Sequence, residues 1–278
     1  MQLFNKPQIY KKEHIKKGET QRVYKYNKAI ETIIENGGKQ IVYYNGEALN
    51  TIIENGGKQI ICYGGTAKNT IIKKNGQQII LFNGGVAKNT KLDGGQQLIF
   101  GKGKSLNSTI LNDGIQLIYN AISIDTVLLN RGFQLVVFGG TAKNTTLNNN
   151  STQIVLSSIV KNTIINKNAI QIVKNSLASK TIINGGIQRL QGKNKILRTI
   201  IKNNGIQTFV DEHKSLYQNT NPFKINFSFK DKKFPSEFEE VTNNVLVKNG
   251  GILEIPNNYE NKIKKLKIEN NGKKRVVI

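Results

Sequence analysis

Residues able to do chemistry are few in this chain and lie far apart. There are five aspartates, Asp93, Asp113, Asp125, Asp211 and Asp231, and two histidines, His14 and His213. Cleaving a polysaccharide takes two carboxylates converging on one bond, or acidic calcium ligands beside a basic group, because proton transfer and charge stabilisation need ionisable side chains within reach of one another. Asp93 and Asp113 precede glycines, where an aspartate bonds its own turn. Glu35 and Glu54 each adjoin an Asn-Gly-Gly turn and read as solvated partners of lysine, while Glu237, Glu239 and Glu240 form a separate acidic run. The histidines fall about 200 residues apart in sequence, near the two ends of the repeat region, which argues against a His-based triad or a multi-His metal site. A single cysteine, Cys62, excludes an internal disulfide and any multi-cysteine metal site, and reads as a packed thiol. No glycine-rich stretch has the Lys-Ser/Thr ending of a phosphate-binding loop. The expectation is a non-enzymatic protein with no cofactor and no metal.

Basic side chains are the abundant functional group. Across 278 residues, 41 Lys and Arg face 18 Asp and Glu, a formal charge of +23. Such a surface suits a polyanion, which it binds by displacing counterions. Lys68, Lys88, Lys143 and Lys161 each stand two places before a threonine, and Lys73 and Lys74 add to one neighbourhood. Lys262, Lys264, Lys265 and Lys267 crowd the far end. These ten lysines are the candidate polyanion contacts, the alternative being solvated side chains that discourage edge pairing between molecules. No helix-turn-helix, aromatic-basic signature or zinc module is present, so no specific nucleic-acid partner is expected. No apolar run approaches the roughly 18 residues of a membrane-spanning helix, and residues 1–30 lack the apolar stretch of a secretory signal.

The elements that must carry these residues are repeats. Glutamine recurs at 21, 40, 59, 78, 97, 116, 134, 153, 171, 188 and 207, every interval being 17 to 19 residues. Threonine keeps step at 32, 51, 70, 90, 109, 126, 145, 163, 181 and 199. Each unit holds two short β-branched runs between glycine turns, such as Thr70-Ile71-Ile72, Asn75-Gly76, Gln78-Ile79-Ile80-Leu81-Phe82 and Asn83-Gly84-Gly85. The runs are too short for helices, and Asn-Gly and Gly-Gly supply the positive backbone angles of tight turns. One unit per coil gives an all-β parallel β-helix with about 19 residues per coil, with successive coils about 4.8 Å apart. Ile or Leu follows the marker glutamine at 41, 60, 79, 98, 117, 135, 154 and 172, with Arg22, Arg189 and Thr208 breaking the column near its ends. Ile and Leu columns are expected to fill the interior, and Gln, Asn and Thr columns to bond along the axis. The expected organisation is a cap region over 1–30, repeats over 31–210, an inserted loop or hairpin over 211–240, and degenerate coils over 241–278. Within the insertion, Phe223, Phe227 and Phe229 are a candidate protein contact.

Gly64-Gly65-Thr66-Ala67-Lys68-Asn69-Thr70, Gly84-Gly85-Val86-Ala87-Lys88-Asn89-Thr90 and Gly139-Gly140-Thr141-Ala142-Lys143-Asn144-Thr145 resemble the strand-loop-strand repeats of AIDA-type autotransporter passengers. The resemblance covers roughly residues 30 to 210. It implies a right-handed parallel β-helix, carried across the bacterial outer membrane by a C-terminal barrel and then displayed or released. With neither barrel nor signal peptide in this sequence, an excised passenger is expected. The resemblance further implies an adhesin or virulence factor at the host cell surface. Its partners would be acidic, heparan sulfate-like glycans or a host receptor, and self-association is compatible with it. A released, growth-factor-like effector is the alternative, and a polysaccharide-cleaving β-helix is the competitor from another class. In such adhesins, repeat hydroxyls can carry heptose, which makes Thr70, Thr90 and Thr145 a candidate column. Stacked structural threonines are the reading favoured by the residues themselves.

Overall fold

The computed structural model describes residues 6–81, 83–210, 241–256 and 262–277. They form an all-β parallel solenoid of about 12 turns with about 19 residues per turn. One coil illustrates the plan, with strands Lys58–Ile61, Thr66–Lys68 and Ile71–Ile72 separated by turns. The first of these strands joins a 13-stranded parallel sheet, and the other two join a second sheet, where in some coils, such as Lys104–Leu111, they merge into one continuous strand. The register repeats like with like: Gln78 pairs with Gln59 below and Gln97 above, and Ala67 with Ala48 and Ala87.

Region 1–30, set apart above as a cap, already carries coil strands. Ile9–Lys11 pairs with Lys28–Ile30, and Thr20–Val23 with Lys39–Val42. The expected insertion over 211–240 lies outside the described residues; after it the strand pairing continues, Gln207 with Leu253 and Leu253 with Lys274.

Strand alternation decides what fills the interior. In Gln77–Ile80 the glutamine Gln78 and Ile80 are buried, whereas Gln77 and Ile79 are half-exposed. A period of two residues means that an inward glutamine sends its successor outward. The column therefore lies outside the interior file: Ile41, Ile60, Ile79 and Leu98 are part-exposed on the outer face, correcting the expectation that they fill the core, while Leu117, Ile154 and Ile172 further along are buried in a separate cluster with Ile115, Phe133 and Val137. The interior is built from the next residue along, Val42, Ile61, Ile80 and Ile99, with Ala48, Ala67 and Ala87 opposite and Ile53, Ile72 and Leu92 on the third side.

Between these apolar columns stands a file of buried side-chain amides. Nε2 of Gln40, Gln59, Gln78 and Gln97 each donates to Oε1 of the glutamine one coil earlier at 2.6 Å, and the pattern runs on to Gln207. At its start Gln21 donates to the Glu13 carboxylate at 2.6 Å. The threonines are buried as well, but the hydroxyls of Thr32, Thr51, Thr70 and Thr90 have no partner. Where serine replaces the interior alanine the defect is repaired. Ser105 donates to Gln97 at 2.9 Å and bonds Ser108 at 2.7 Å, and Ser123 repeats this with Gln116 and Thr126. Ser108, not Thr109, occupies the threonine column, because Ala67 to Ala87 takes 20 residues and Ala87 to Ser105 only 18. Thr109 instead pairs with Lys91 and Val127 on the outer face.

A sharp corner joins the two strands of the second sheet. Asn50, Asn69, Asn89 and Asn107 all turn it with φ of 54 to 55°, a left-handed conformation that asparagine tolerates better than most side chains. Their amides form an exposed ladder of 3.0 to 3.3 Å. Coil-to-coil contact is tight at the opposite turn, where a Cβ on Gly65 would lie 2.2 Å from the Val42 carbonyl oxygen of the coil below.

Three substitutions test this core by urea unfolding. Gln116→Leu orphans the amides above and below and is expected to cost about 1–3 kcal/mol for each buried group left unpaired. Gly65→Ala is expected to lower the midpoint by forcing adjacent coils apart. Ala87→Ser, which gives Thr90 the partner that Ser105 gives Ser108, is expected to raise stability by about 0.5–1.5 kcal/mol.

Candidate polyanion-binding surface

The lysine column predicted from spacing exists, in broken form. The third residue of the short outer strands runs Leu49, Lys68, Lys88, Leu106, Ile124, Lys143, Lys161, Ser179 from coil to coil. The four lysines are thus two adjacent pairs, the inner members three rungs or roughly 15 Å apart. Lys264 belongs to the same column, through Leu197 and Asn243. Lys265 falls at the left-handed corner with φ 58°, and Lys267 lies outward beyond it, paired with Glu269. Lys262 is exposed just before the strand Ile263–Ile268.

These lysines are not electrostatically equivalent. Lys68 and Lys28 both bind the Glu47 carboxylate, Lys28 at 3.1 Å. Hydrogen bonding to Lys68 holds Glu47 below its ordinary pKa, with burial opposing and Lys28 assisting. Lys73 pairs with Glu54 at 2.8 Å. Lys74 lies near Asp113, whose carboxyl is held low mainly by the Arg131 guanidinium at 2.7 Å. Lys88, Lys143 and Lys161 have no ion pair among the described residues. Phe223, Phe227 and Phe229 lie outside those residues.

Groups screened for catalysis are occupied elsewhere or shut in. Glu35 meets His14 at 2.9 Å, while Asp93 accepts from Asn112 at 2.7 Å with Lys91 at 3.6 Å. Glu35 and Glu54 sit on adjacent rungs, yet each faces its own basic partner. Cys62 is 7% exposed and its thiol is pushed up by burial, as befits a packing role. Among the described residues no group of three His, Cys, Asp or Glu side chains could hold a metal ion, and no helix is long and apolar enough to cross a membrane. Thr70, Thr90 and Thr145 are 1% exposed. The structure buries these hydroxyls in the wall of the core, which favours the stacked structural role over a glycosylated one.

One surface feature escaped the spacing argument. Tyr24, Tyr26, Tyr44 and Tyr63 are 38 to 66% exposed at one corner, and Tyr44 stacks on Tyr63 with ring centroids 5.4 Å apart. Beside them Tyr26, Lys28, Glu47, Lys68 and Lys88 border a shallow cleft of about 340 Å³. The signal was available in the repeated tyrosine at positions 44 and 63, which share a column one coil apart.

Residues 43–95 match the AIDA family model, described as an adhesin of the bacterial autotransporter system, probable stalk. No curated protein matches the chain. Among solved structures, a TibC-catalysed hyper-glycosylated TibA fragment is similar with a TM-score of 0.56 at 23% identity, covering 97% of each chain. The Dettilon tailspike protein gp208 follows at TM-score 0.38 and 10% identity, over 95% of this chain and 62% of that one. The resemblance to AIDA-type repeats is borne out, and the TibA likeness agrees with the parallel solenoid fold.

The Glu47 pair gives a pH prediction. A folded pKa below the unfolded value stabilises fully above the ordinary carboxylate range, and this contribution is lost as pH falls through the folded value. Glu47→Gln is therefore expected to flatten the decline of the melting temperature between about pH 5 and pH 3, read by circular dichroism.

Proposed function

We propose that this AIDA-repeat solenoid serves as a surface-displayed or secreted adhesin stalk whose basic faces contact acidic glycans on host cells. The observation that carries the reading is the repeat itself: it converts scattered lysines into columns on a rigid rod and leaves Lys88, Lys143 and Lys161 without carboxylate partners among the described residues. Columns of like charge about one rung apart raise the local potential along a line, which favours an extended polyanion over a small ligand. The open faces support multivalent contact better than enclosure of a substrate. Affinity would then come from many weak contacts made at once, each held in place by the coils beneath it.

The test is binding of the purified chain to epithelial or endothelial cells before and after enzymatic removal of heparan sulfate. A variant with Lys68→Glu, Lys88→Glu, Lys143→Glu and Lys161→Glu is measured alongside. Binding is expected to fall in both arms. Saturable binding unchanged by either treatment would overturn the acidic-glycan reading and point to a protein receptor.

A further inference from the structure

Acidic residues are distributed very unevenly along the solenoid. Between Asp125 and Asp211 there are eleven Lys and Arg and not one Asp or Glu. In the earlier coils Glu47, Glu54 and Asp93 each meet lysine, and Asp113 meets Arg131. Part of the charge in the earlier coils is therefore compensated locally, whereas no ion pair among the described residues offsets the later cations.

The fold gathers five of these later cations onto one ridge. Lys143 and Lys161 pair directly in register. The lysine column then passes to Ser179 and Leu197, but the adjoining left-handed corner takes over the charge, with Lys180 at φ 57° and Arg198 at φ 59° replacing the asparagines of earlier coils. The backbone N–H of Lys180 bonds the Leu197 carbonyl at 2.8 Å, which stacks the two corners on successive rungs. Lys195 adds a fifth cation on the rung of Arg198. All five side chains belong to exposed positions, and none has an ion pair among the described residues. Four consecutive rungs thus each carry at least one cation without an ion pair among the described residues, about 4.8 Å apart along the axis, with a sideways step of one residue from strand to corner between Lys161 and Lys180. Asp125 stands on the corner column one rung before Asn144, which donates to it at 2.8 Å, so an acid borders the ridge at its Lys143 end.

Beside the ridge run Ile164, Ile182 and Ile200, stacked in register on the outer face, Ile164 being 36% exposed and the other two less. The same two columns border a groove of about 690 Å³ in the earlier coils, where Asn50, Asn69, Ile52 and Ile71 stand in their places.

We propose that this ridge, formed by Lys143, Lys161, Lys180, Lys195 and Arg198, is a binding site for a linear sulfated or carboxylated polysaccharide. It rests on the acidic-glycan reading above and relocates the contact to the acid-free coils, away from Lys68 and its carboxylate partner. Several features select this ligand. Lys143, Lys161, Lys180 and Arg198 run along the axis within one residue of each other's column, with Lys195 flanking them two residues before it, a strip that matches a single extended chain better than the two backbones of a duplex. The aliphatic strip offers van der Waals contact to the C–H faces of sugar rings. No aromatic side chain belongs to the ridge or strip, so the stacking platforms of single-stranded nucleic-acid sites are missing from it. Lysine predominates, supplying point charges for sulfate rather than the bidentate forks suited to base edges.

The experiment measures binding of the full chain to heparin by titration calorimetry across a salt series. One variant carries Lys161→Gln, Lys180→Gln and Arg198→Gln. A second, of equal net charge, carries Lys17→Gln, Lys39→Gln and Lys58→Gln in the earlier coils. The ridge variant is expected to raise Kd at least about tenfold and to lower the slope of log K against log salt by about two to three, one per lost contact. The control is expected to stay within about twofold. Since all six side chains lie at the surface, equal urea midpoints for the variants and the parent establish that folding is intact. Equal weakening by both variants would overturn the proposal in favour of diffuse charge. Heparin binding that neither variant changes would overturn the site while leaving the acidic-glycan reading standing. Failure of the unmodified chain to bind heparin would remove that reading itself. Tighter, ridge-dependent binding of single-stranded DNA than of heparin would assign the ridge to nucleic acid and overturn the polysaccharide.

Discussion

Everything in this molecule hangs on the buried amide ladder. Each glutamine side chain in the file gives one N–H to the coil before it and accepts one from the coil after, so a polar group that would be costly to bury is satisfied at every rung. The bonds all run in the same direction, from Gln207 back to Gln21, and aligned amide dipoles reinforce one another. The donor end closes on a carboxylate, Glu13, in the electrostatic sense that favours an anion at a helix N-terminus. At the other end Gln207 Oε1 has no partner, because Leu253 holds the next position in the column. The ladder thus has polarity, and the change from Gln to Leu marks where its repeat ends.

The same ladder fixes register. A strand slipped by one residue would send the glutamines outward and the half-exposed Ile column inward, orphaning each amide in turn. Slippage by a whole coil is the remaining degenerate error, and differences between coils oppose it. Ser105 and Ser123 occur in adjacent coils, and the 20-then-18 spacing around Ala87 is unique to its place in the described ladder. Such local irregularities act as labels on an otherwise repetitive rod. They also show how the interior tolerates change: a turn can lengthen by one residue at the surface while Ile80 and Ile99 remain in contact with their own columns.

Repeat period, sheet type and coil length were legible in the sequence because stacking places equivalent residues on top of one another, so the periodicity of glutamine is a direct image of the structure. Inside and outside were harder to read. Ile79 and Ile80 are chemically identical, and only the burial of Gln78 decides which one faces in. A rule that places polar residues outside assigns them the wrong way round. The slip from Ser108 to Thr109 has a similar origin, since two hydroxyl residues in succession cannot be told apart by spacing alone. For the surface, the lysine column at 68, 88, 143 and 161 was legible, but its electrostatics were not. Glu47 lies 21 residues before Lys68, and only the stacking of coils brings them together. Continuity from Lys161 to Lys180 and Arg198 was hidden for the same reason, because the charge moves one residue along the coil, from the strand to the corner.

That sideways step says what the corner conformation permits. A left-handed backbone costs a non-glycine residue about 1–2 kcal/mol, and asparagine is the usual side chain that tolerates it. Asn144 and Asn162 follow that rule and bond to each other at 2.8 Å. Lys180 and Arg198 break it, giving up both the conformational preference and the amide ladder at two consecutive rungs. Lys12 and Glu31 do so at the opposite end of the same column, but there the charges are of opposite sign and adjacent. In the later coils the substituted residues are both cations, stacked next to a lysine pair and with no ion pair among the described residues. A rigid β-solenoid supplies the positional stability to hold like charges together at close spacing, and a polyanion laid along them is what would relieve the repulsion.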